Sequence, residues 1–495
     1  MPLKIYRLPL LLLLSLFPFV ASANFDFNSN CVKAYQNIFE LKLATAKQLI
    51  LSEKKARPQN SIIPLLENYV DYFYLLTNES KAEFDRLEAN KSARLDQISD
   101  DDKNSPYYLY AQAEINLQWA LVRGRYGAYF AAAREINKAN GLLKDNQKKF
   151  PNFPLNAKGL GLINVVIGTL PDGFMKSTLS TFGVKGDVKT GLNQLDKLAE
   201  DLPKTPYGTF YDEVIFYYAY ILSDVAKSAQ AYPKIMRYTS RIGDSSLLKT
   251  YMQAYACARN GKNEQAIEIL ESRPRGSSYQ PFPYLDYLLG VARLNKLDLK
   301  ASANFNQFLQ ANKGNNYIKD TYLHLAWISL LKDDTADYKI LLNKVKSNGA
   351  NYADKDKQAL NEVSSPTPNL VLLKARLLYD GGYLNRALET LTDSKIEFST
   401  VKDKAEYAYR LGRINDDLGK DDIALAHYQT AFNTGKGQKY YYAAKSAVLM
   451  GNIYEKKKNF VKAKACFNLV ISLKDHEYKN SIENEAKQGL KRVGG

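Results

Sequence analysis

The sequence predicts an all-α protein: an α-solenoid of stacked helical hairpins that follows an amino-terminal helical region. Two observations lead to this fold class. In the second half of the chain, small residues recur in matched contexts 35 positions apart, at Ala266, Ala301 and Ala336, and a period in the mid-thirties is typical of stacked helical hairpins. In the first half, apolar residues recur at three- and four-residue spacing, for example over 35–51 and 62–76, without strand-like alternation.

Composition and charge narrow the classes of function. The chain has 495 residues, of which 45% are apolar and 12% aromatic, so it can bury sizeable cores and is not disordered as a whole. The net charge of +16 is spread along the chain, without the basic run or recognition motif of a nucleic-acid-binding protein. Beyond the first two dozen residues, no apolar stretch approaches the length of a membrane span. We therefore expect no nucleic-acid partner and no membrane-spanning segment in the mature chain.

The first 23 residues have the three parts of a secretory signal peptide. Lys4 and Arg7 give a basic start, 8–20 is apolar, and 21–23 has the small residues that a signal peptidase reads. The first cysteine, Cys31, lies eight residues beyond the expected cleavage site, so we expect no lipid anchor. Together with a composition rich in Lys and Asn, this predicts an exported bacterial protein in the periplasm or at the outer membrane.

Cysteine usage gives no sign of a disulfide framework. Only three cysteines occur, so at most one disulfide can form. Cys257 and Cys466 lie on apolar helical stripes, where a free cysteine acts as a small hydrophobe. We therefore expect buried thiols.

The repeat pattern divides the chain into parts. We expect a signal peptide, an amino-terminal helical region and a repeat array at 1–23, 24–205 and 206–495. Six repeat units are expected between about 245 and 476. The gap of 51 residues between Ala336 and Ala387 predicts an insertion loop at about 348–368, where Ser and Pro cluster.

The clearest repeat unit indicates how the two helices of a hairpin meet. Gly412 falls on a first helix, and Ala424 and Tyr428 fall on the second, while Gly451 and Phe467 take the same offsets in the next unit. This pattern resembles the tetratricopeptide repeat. In that repeat, small residues let the two helix backbones approach, and an aromatic side chain fills the gap to the next hairpin.

A glycine-rich motif stands out in the amino-terminal region. Its residues, in chain order, are Gly159, Gly161, Asn164, Leu170, Pro171, Phe182, Gly183, Gly186, Asp187, Gly191 and Leu192. This segment of about 40 residues resembles the eukaryotic family that contains the inclusion-body clearance proteins and tetratricopeptide-repeat protein 39. The resemblance implies helices followed by carboxy-terminal repeats, but the export signal departs from the family's intracellular setting. Physically, Gly183 and Gly186 suit a turn with positive φ, and Asp187 suits the N-cap of the next helix.

No motif marks catalytic or metal chemistry. HExxH, CxxC and GxSxG are absent, and His324, His427 and His476 are too scattered for a metal site. We therefore expect a non-enzymatic protein without a cofactor or metal. An enzyme with a site in the amino-terminal region is a further class, which no constellation of residues supports.

The concave side of the solenoid is the expected binding surface. The first helix of each hairpin lines that side, so residues beside its core positions form a groove. The candidate partner-binding residues are Tyr284, Tyr287, Glu406, Tyr409, Arg413, Asp416, Lys445, Asn452 and Glu455. They are polar and aromatic, as an interface should be. The sequence thus predicts a scaffold or adaptor that binds envelope proteins through this groove.

The abundance of tyrosine supports an alternative function. Tyrosine has an apolar face and a polar tip, which suits both helix packing and a wet binding surface. The chain has 36 tyrosines, with clusters at Tyr69, Tyr72 and Tyr74, at Tyr217, Tyr218 and Tyr220, and at Tyr440, Tyr441 and Tyr442. The alternative is a glycan-binding module of an outer-membrane uptake system, in which polysaccharide stacks on these platforms.

Overall fold

The computed structural model of the protein describes residues 25–170, 174–181, 183, 185–226, 228–393 and 397–494. The signal peptide expected at 1–23 lies outside these ranges, as do Pro171, Phe182 and Val184 of the glycine-rich segment. Within the described ranges the regular structure is helical and no strand occurs. The prediction of an all-α fold is confirmed.

Twenty-five α-helices make up most of the described chain. In chain order they are Ser29–Phe39 (α1), Leu43–Ala56 (α2), Ile62–Asn78 (α3), Lys81–Ser99 (α4), Pro106–Arg125 (α5), Tyr129–Lys149 (α6), Asn156–Thr169 (α7), Phe174–Thr181 (α8), Val188–Asp201 (α9), Tyr211–Tyr220 (α10), Ala231–Thr239 (α11), Leu247–Arg259 (α12), Asn263–Glu271 (α13), Tyr284–Asn295 (α14), Ala301–Ala311 (α15), Ile318–Leu331 (α16), Thr335–Ser347 (α17), Asp354–Val363 (α18), Leu370–Asp380 (α19), Leu384–Thr392 (α20), Val401–Asp417 (α21), Asp421–Gly435 (α22), Tyr442–Lys456 (α23), Phe460–Ser472 (α24) and Lys479–Arg492 (α25). Short 3-10 helices span Leu202–Lys204 and Gly208–Phe210, and a π-helix spans Ile221–Val225. None of the described helices is long and apolar enough to cross a membrane.

Successive helices pair into hairpins, and the hairpins stack along the chain. The extensively packed pairs are α1 with α2, α3 with α4, α5 with α6, α7 with α9, α12 with α13, α14 with α15, α16 with α17, α19 with α20, α21 with α22, and α23 with α24. First helices also contact the first helices of neighbouring hairpins, as α19 does with α21 and α21 with α23. The fold is thus a solenoid of helical hairpins, and the hairpins extend through the amino-terminal half as well.

Glycines on first helices receive aromatic rings from second helices. A Cβ added at Gly412 would lie 2.5 Å from the ring of Tyr428, and one at Gly451 would lie 2.5 Å from the ring of Phe467. The same relation holds for Gly290 on α14 and the ring of Phe305 on α15, at 2.8 Å. Since any side chain at these glycines would overlap a ring, each glycine lets its hairpin close. These contacts are those expected of a tetratricopeptide-like repeat.

The hydrophobic core runs across the predicted boundary between 205 and 206. One continuous cluster of buried apolar residues extends from Phe25 to Leu377, and two smaller clusters cover the remaining hairpins. The boundary at 205/206 therefore stays a prediction from the repeat pattern, while the packing joins the amino-terminal hairpins to those of the array.

The predicted insertion at 348–368 contains a helix of its own, α18. The carboxylate of Asp356 on this helix is buried, and it accepts hydrogen bonds from the backbone N–H groups of Tyr317, at 2.6 Å, and Asp320, at 3.2 Å. These N–H groups belong to the start of α16, where a helix leaves donors without intrahelical partners. The segment is therefore helical in part rather than a loop throughout, because α18 supplies a cap for α16.

The glycine-rich segment brings α7 and α9 together. A Cβ at Gly191 would meet the carbonyl oxygen of Gly161 at 2.6 Å, so the two helix backbones touch at this pair. Gly183 has a φ of 75° and the Asp187 side chain caps α9 by accepting from the N–H of Thr190 at 2.6 Å, both as expected. The expectation for Gly186 is wrong: its φ is not positive, and it is instead required by close packing on α7.

Candidate functional site

A large cavity lies where the amino-terminal hairpins meet the array. Its volume is about 490 Å³, within the range of ordinary small-molecule sites. Helices α3, α5, α6, α7, α8 and α10 and the π-helix form one part of its wall, and α12, α14, α15 and the segment between α15 and α16 contribute most of the rest. Tyr129 and Tyr220 on its lining are 51% and 40% exposed, so the cavity opens to solvent beside them.

Aromatic side chains dominate the lining of this cavity. They are Tyr72, Phe73, Tyr129, Phe216, Tyr217, Tyr220, Tyr251, Tyr255, Phe282, Tyr284, Phe308 and Tyr317. Several of the rings contact one another, with 4.7 Å between the ring centres of Tyr284 and Tyr317 and 6.1 Å between those of Tyr251 and Tyr284. The cavity therefore offers flat apolar faces together with phenolic hydroxyls.

A small set of charged and amide side chains interrupts the aromatic wall. Arg125, at the end of α5, is paired with Glu79, whose other carboxylate oxygen accepts from the Asn316 amide at 2.8 Å. Asp224 on the π-helix accepts from the Tyr255 hydroxyl at 2.5 Å and lies 3.8 Å from Arg259. Each acidic group at the cavity thus already has a cationic neighbour.

Arg125 keeps its charge in this cavity. Burial by itself lowers the pKa of Arg125, but Glu79 and then the phenols of Tyr317 and Tyr251 raise it above its ordinary value. Burial raises the pKa of Tyr251, and it raises the pKa of Tyr317 to about 12. Both hydroxyls therefore keep their protons at neutral pH and can donate hydrogen bonds.

Three features of unusual backbone geometry lie on the cavity wall. Glu79 and Tyr317 both line the cavity and have left-handed backbones, with φ of 54° and 63°. Left-handed geometry is a strained conformation for a bulky residue such as tyrosine. The π-helix Ile221–Val225, a rare form that recurs at functional sites, carries Ser223 and Asp224 on the same wall.

A network of buried charges lies beside the cavity. The Lys158 ammonium contacts Glu213 and lies 2.8 Å from a Glu114 carboxylate oxygen, while Tyr35 and Tyr69 donate to Glu213 at 2.5 and 2.6 Å. These five residues come from α1, α3, α5, α7 and α10, so the network ties the amino-terminal hairpins together. We call it the Lys158 cluster.

A second, smaller pocket lies between α19 and α21. It has a volume of about 150 Å³ and is lined by Arg376, Tyr379, Asp380, Tyr409, Arg410, Arg413 and Tyr441. Arg413 lies between two tyrosines: it donates to the hydroxyl of Tyr409 at 2.9 Å and to that of Tyr379 at 2.6 Å. Its guanidinium is also centred 4.7 Å from the Tyr379 ring. We call this the arginine–tyrosine pocket.

The structure separates the predicted groove residues, and only some of them line a cavity or pocket. Tyr284 lines the large cavity, and Tyr409 and Arg413 line the arginine–tyrosine pocket. Tyr287 is buried and donates to Asp320 at 2.6 Å. The structure therefore brings Tyr409 and Arg413 into one pocket and sets the two tyrosines of α14 apart from it.

The remaining candidates are engaged within the array. Glu406 is buried in an ion pair with Arg410 and accepts from Tyr442 at 2.6 Å, and Asp416 accepts from Tyr428 at 3.1 Å. Carboxy-terminal helix α25 pairs with the other three. Glu485 of α25 forms an ion pair with Lys445 at 2.5 Å. Arg492 of α25 forms an ion pair with Glu455 at 2.7 Å and a hydrogen bond to Asn452 at 3.5 Å.

Sequence reasoning missed most of the large cavity. Arg125 gave no signal, because a single arginine on an amphipathic helix looks like any solvated charge. The tyrosine clusters were a usable signal, since Tyr72, Tyr217 and Tyr220 all line the cavity. Among the described residues, no group of three or more His, Cys, Asp or Glu side chains is arranged to hold a metal ion.

Comparisons with known proteins add little. No family model matches the chain, and no curated protein matches it. Among solved structures, the chain is similar to the crystal structure of the APC/C hetero-tetramer Cut9-Hcn1, at 12% identity over 94% of each chain and with a TM-score of 0.26. A TM-score this low does not establish a shared fold. The helical-repeat fold follows from the helices and their packing.

Proposed function

We propose that the protein is an exported, non-enzymatic scaffold that binds envelope proteins through the concave face of its hairpin array. The observation that carries the proposal is the arginine–tyrosine pocket. Two residues selected from the repeat register, Tyr409 and Arg413, lie there beside Arg376 and Tyr379 of the preceding hairpin. The pocket thus joins two consecutive repeats, as a groove that receives an extended partner would require.

The chemistry of the pocket suits a protein partner. Tyrosine and arginine are enriched at the energetically important centres of protein interfaces. Arg413 is held by two phenolic hydroxyls, and among the described residues it has no carboxylate partner. A guanidinium in this setting is oriented in advance, so little side-chain entropy is lost when a partner's carbonyl or carboxylate group arrives.

Site-specific photocrosslinking in the producing cells tests the proposal. A photoreactive residue at Asp380, on the exposed rim of the pocket, is expected to capture a defined envelope protein. The same probe at Lys464, exposed on second helix α24, is the matched control and is expected to capture none. Adding Arg413→Ala is expected to remove the product formed from position 380 while the helical circular dichroism spectrum is kept.

Two results would count against the scaffold. Identical products from positions 380 and 464 would show that capture is not specific to the pocket. Envelope polysaccharide, rather than protein, recovered with position 380 would favour the glycan-binding alternative.

A further inference from the structure

We propose that the large cavity is a binding site for a small amphiphile: an aliphatic chain with a single carboxylate head, with the head at Arg125. Such a site shares no residue with the arginine–tyrosine pocket, and the proposal does not depend on the scaffold function. It follows from the division of the cavity lining, the free donors at its polar part and the backbone geometry that holds them.

The part of the lining contributed by α5 to α8 is suited to an aliphatic chain. The apolar residues there are Ala120, Leu121, Ala132, Ala133, Ile136, Val166, Leu170 and Leu179. The set combines small alanines with branched aliphatic side chains. Each methylene that moves from water into this part strengthens binding through the hydrophobic effect.

The polar part, where Arg125 at the end of α5 faces α12 and the segment just before α16, is suited to an anionic head. Arg125 lines the cavity with 41% of its side chain accessible, and among the described residues Glu79 is its one hydrogen-bond partner. A guanidinium has five N–H donors, so most of those on Arg125 remain free for an acceptor. The protonated hydroxyls of Tyr251 and Tyr317 lie near the same group. A carboxylate would receive several charge-assisted hydrogen bonds here.

The acidic groups of the cavity are already paired, and only Glu79 competes with an added carboxylate for Arg125. Glu79 is neutralised by Arg125 and also receives the Asn316 amide, while Asp224 has Tyr255 as a donor and Arg259 nearby. The site without ligand therefore holds two cations and two carboxylates. An added carboxylate meets unused donors on Arg125 rather than an uncompensated negative charge.

The local backbone holds the polar part in place. Glu79 is the C-cap of α3, and Tyr317 directly precedes α16. Both residues have left-handed backbones, which set the direction in which each side chain leaves the main chain. The N–H of Tyr317 is in turn held by Asp356 at 2.6 Å. The two residues that flank Arg125 are thus positioned from different hairpins before any ligand binds.

Isothermal titration calorimetry with dodecanoate and with dodecanol, on protein freed of co-purified lipid, tests the proposal. We expect one dodecanoate to bind per chain, at least tenfold more tightly than dodecanol. Arg125→Gln is expected to weaken dodecanoate binding at least tenfold and to leave dodecanol binding unchanged. Glu79→Gln, which removes the competing carboxylate, is expected to strengthen dodecanoate binding several-fold.

A filling variant tests whether the ligand occupies this cavity. Gly124 lies on α5 and lines the cavity, and a Cβ at this position would meet no atom within 4 Å. The Cβ of Gly124→Leu therefore has room, and the added side chain is expected to weaken binding of both probes at least tenfold by occupying the cavity. Gly141→Leu is the matched control, because Gly141 is also an open helical position, exposed on α6 and outside the cavity.

Three results would overturn the assignment. They are the absence of dodecanoate binding to the wild-type chain, wild-type affinity in Gly124→Leu, and unchanged dodecanoate affinity in Arg125→Gln. Thermal melts of every variant show whether the fold is kept, so a loss of binding with an unchanged melt reports on the site. Failure here would leave the crosslinking result at the arginine–tyrosine pocket unaffected.

Discussion

Replacing Lys158 by methionine is the most informative single change to the amino-terminal half. The side chains of Lys158, Glu114 and Glu213 are 1%, 2% and 0% exposed. Methionine keeps much of the length of lysine but removes the charge, so two buried carboxylates lose their shared cation. Breaking a buried ion pair from one side costs about 3–5 kcal/mol, and we expect the free energy of unfolding to fall by that amount at pH 8.

The loss should depend on pH, because the unpaired carboxylates can take up a proton. In the wild-type chain, burial raises the pKa of Glu213 above its ordinary value, and Lys158 opposes this rise. The native state therefore binds more protons than the unfolded state between the ordinary carboxyl pKa, about 4.5, and neutral pH. The contribution of Glu213 to the free energy of unfolding is therefore greatest below that pH range, and it is lost as the pH rises through the range. Lys158→Met should steepen this dependence.

Urea denaturation followed by circular dichroism, at pH 5 and pH 8, measures both effects. Lys197→Met is the matched control, since Lys197 is exposed on α9 and should change stability by less than about 0.5 kcal/mol. The double variant Lys158→Met/Glu213→Gln should recover part of the loss at pH 8, because it removes one of the two stranded charges. If Lys158→Met and Lys197→Met have the same free energy of unfolding at both pH values, Lys158 does not neutralise the buried carboxylates of Glu114 and Glu213.

Three further predictions follow from close contacts and burial. Gly412→Ala should destabilise the fold by about 1–3 kcal/mol, because its methyl group would overlap the opposing tyrosine ring. Gly141→Ala should instead stabilise the fold by up to about 1 kcal/mol, because alanine favours the helix more than glycine does. Melting temperatures that shift in the same direction for both variants would contradict this. Gly382→Ala should lower the melting temperature more than Gly419→Ala, because both have positive φ but only Gly382 touches another backbone. Burial raises the pKa of the three cysteine thiols to about 11 or 12. Alkylation by iodoacetamide at pH 8 should therefore be slow in the native protein and fast in denaturant. Rapid labelling of the native protein would show that a thiol is accessible to solvent.

The sequence was sufficient for the repeat hairpins because their packing is local. The glycine at 412 and the tyrosine at 428 lie on consecutive helices, so a fixed spacing encodes the contact and the period reveals it. The N-cap at Asp187 was predictable for the same reason, since its hydrogen bond reaches only to Thr190. Where a contact joins neighbours in sequence, residue type and offset carry the information.

Groove positions were harder to predict because exposure depends on the next helix. Glu406 lies on the helix face expected to line the groove, yet Tyr442 of the next hairpin donates to its carboxylate and closes over it. Lys445 and Glu455 pair with α25, a helix that follows the last recognisable repeat. Helical periodicity gives the direction of a side chain, but not whether a later element covers it.

The large cavity could not be predicted from any one stretch of sequence, because its wall is assembled from residues that are far apart in the chain. Tyr317, Glu79 and the π-helix Ile221–Val225 are far apart in the chain, and each is locally unfavourable or rare. Other left-handed residues, such as Leu41 and Tyr478, lie away from this cavity. The first three features share one wall with Arg125 around a space of about 490 Å³ that the chain leaves unfilled. Local departures from good packing and geometry that converge in space are expected where function, not stability, sets the structure.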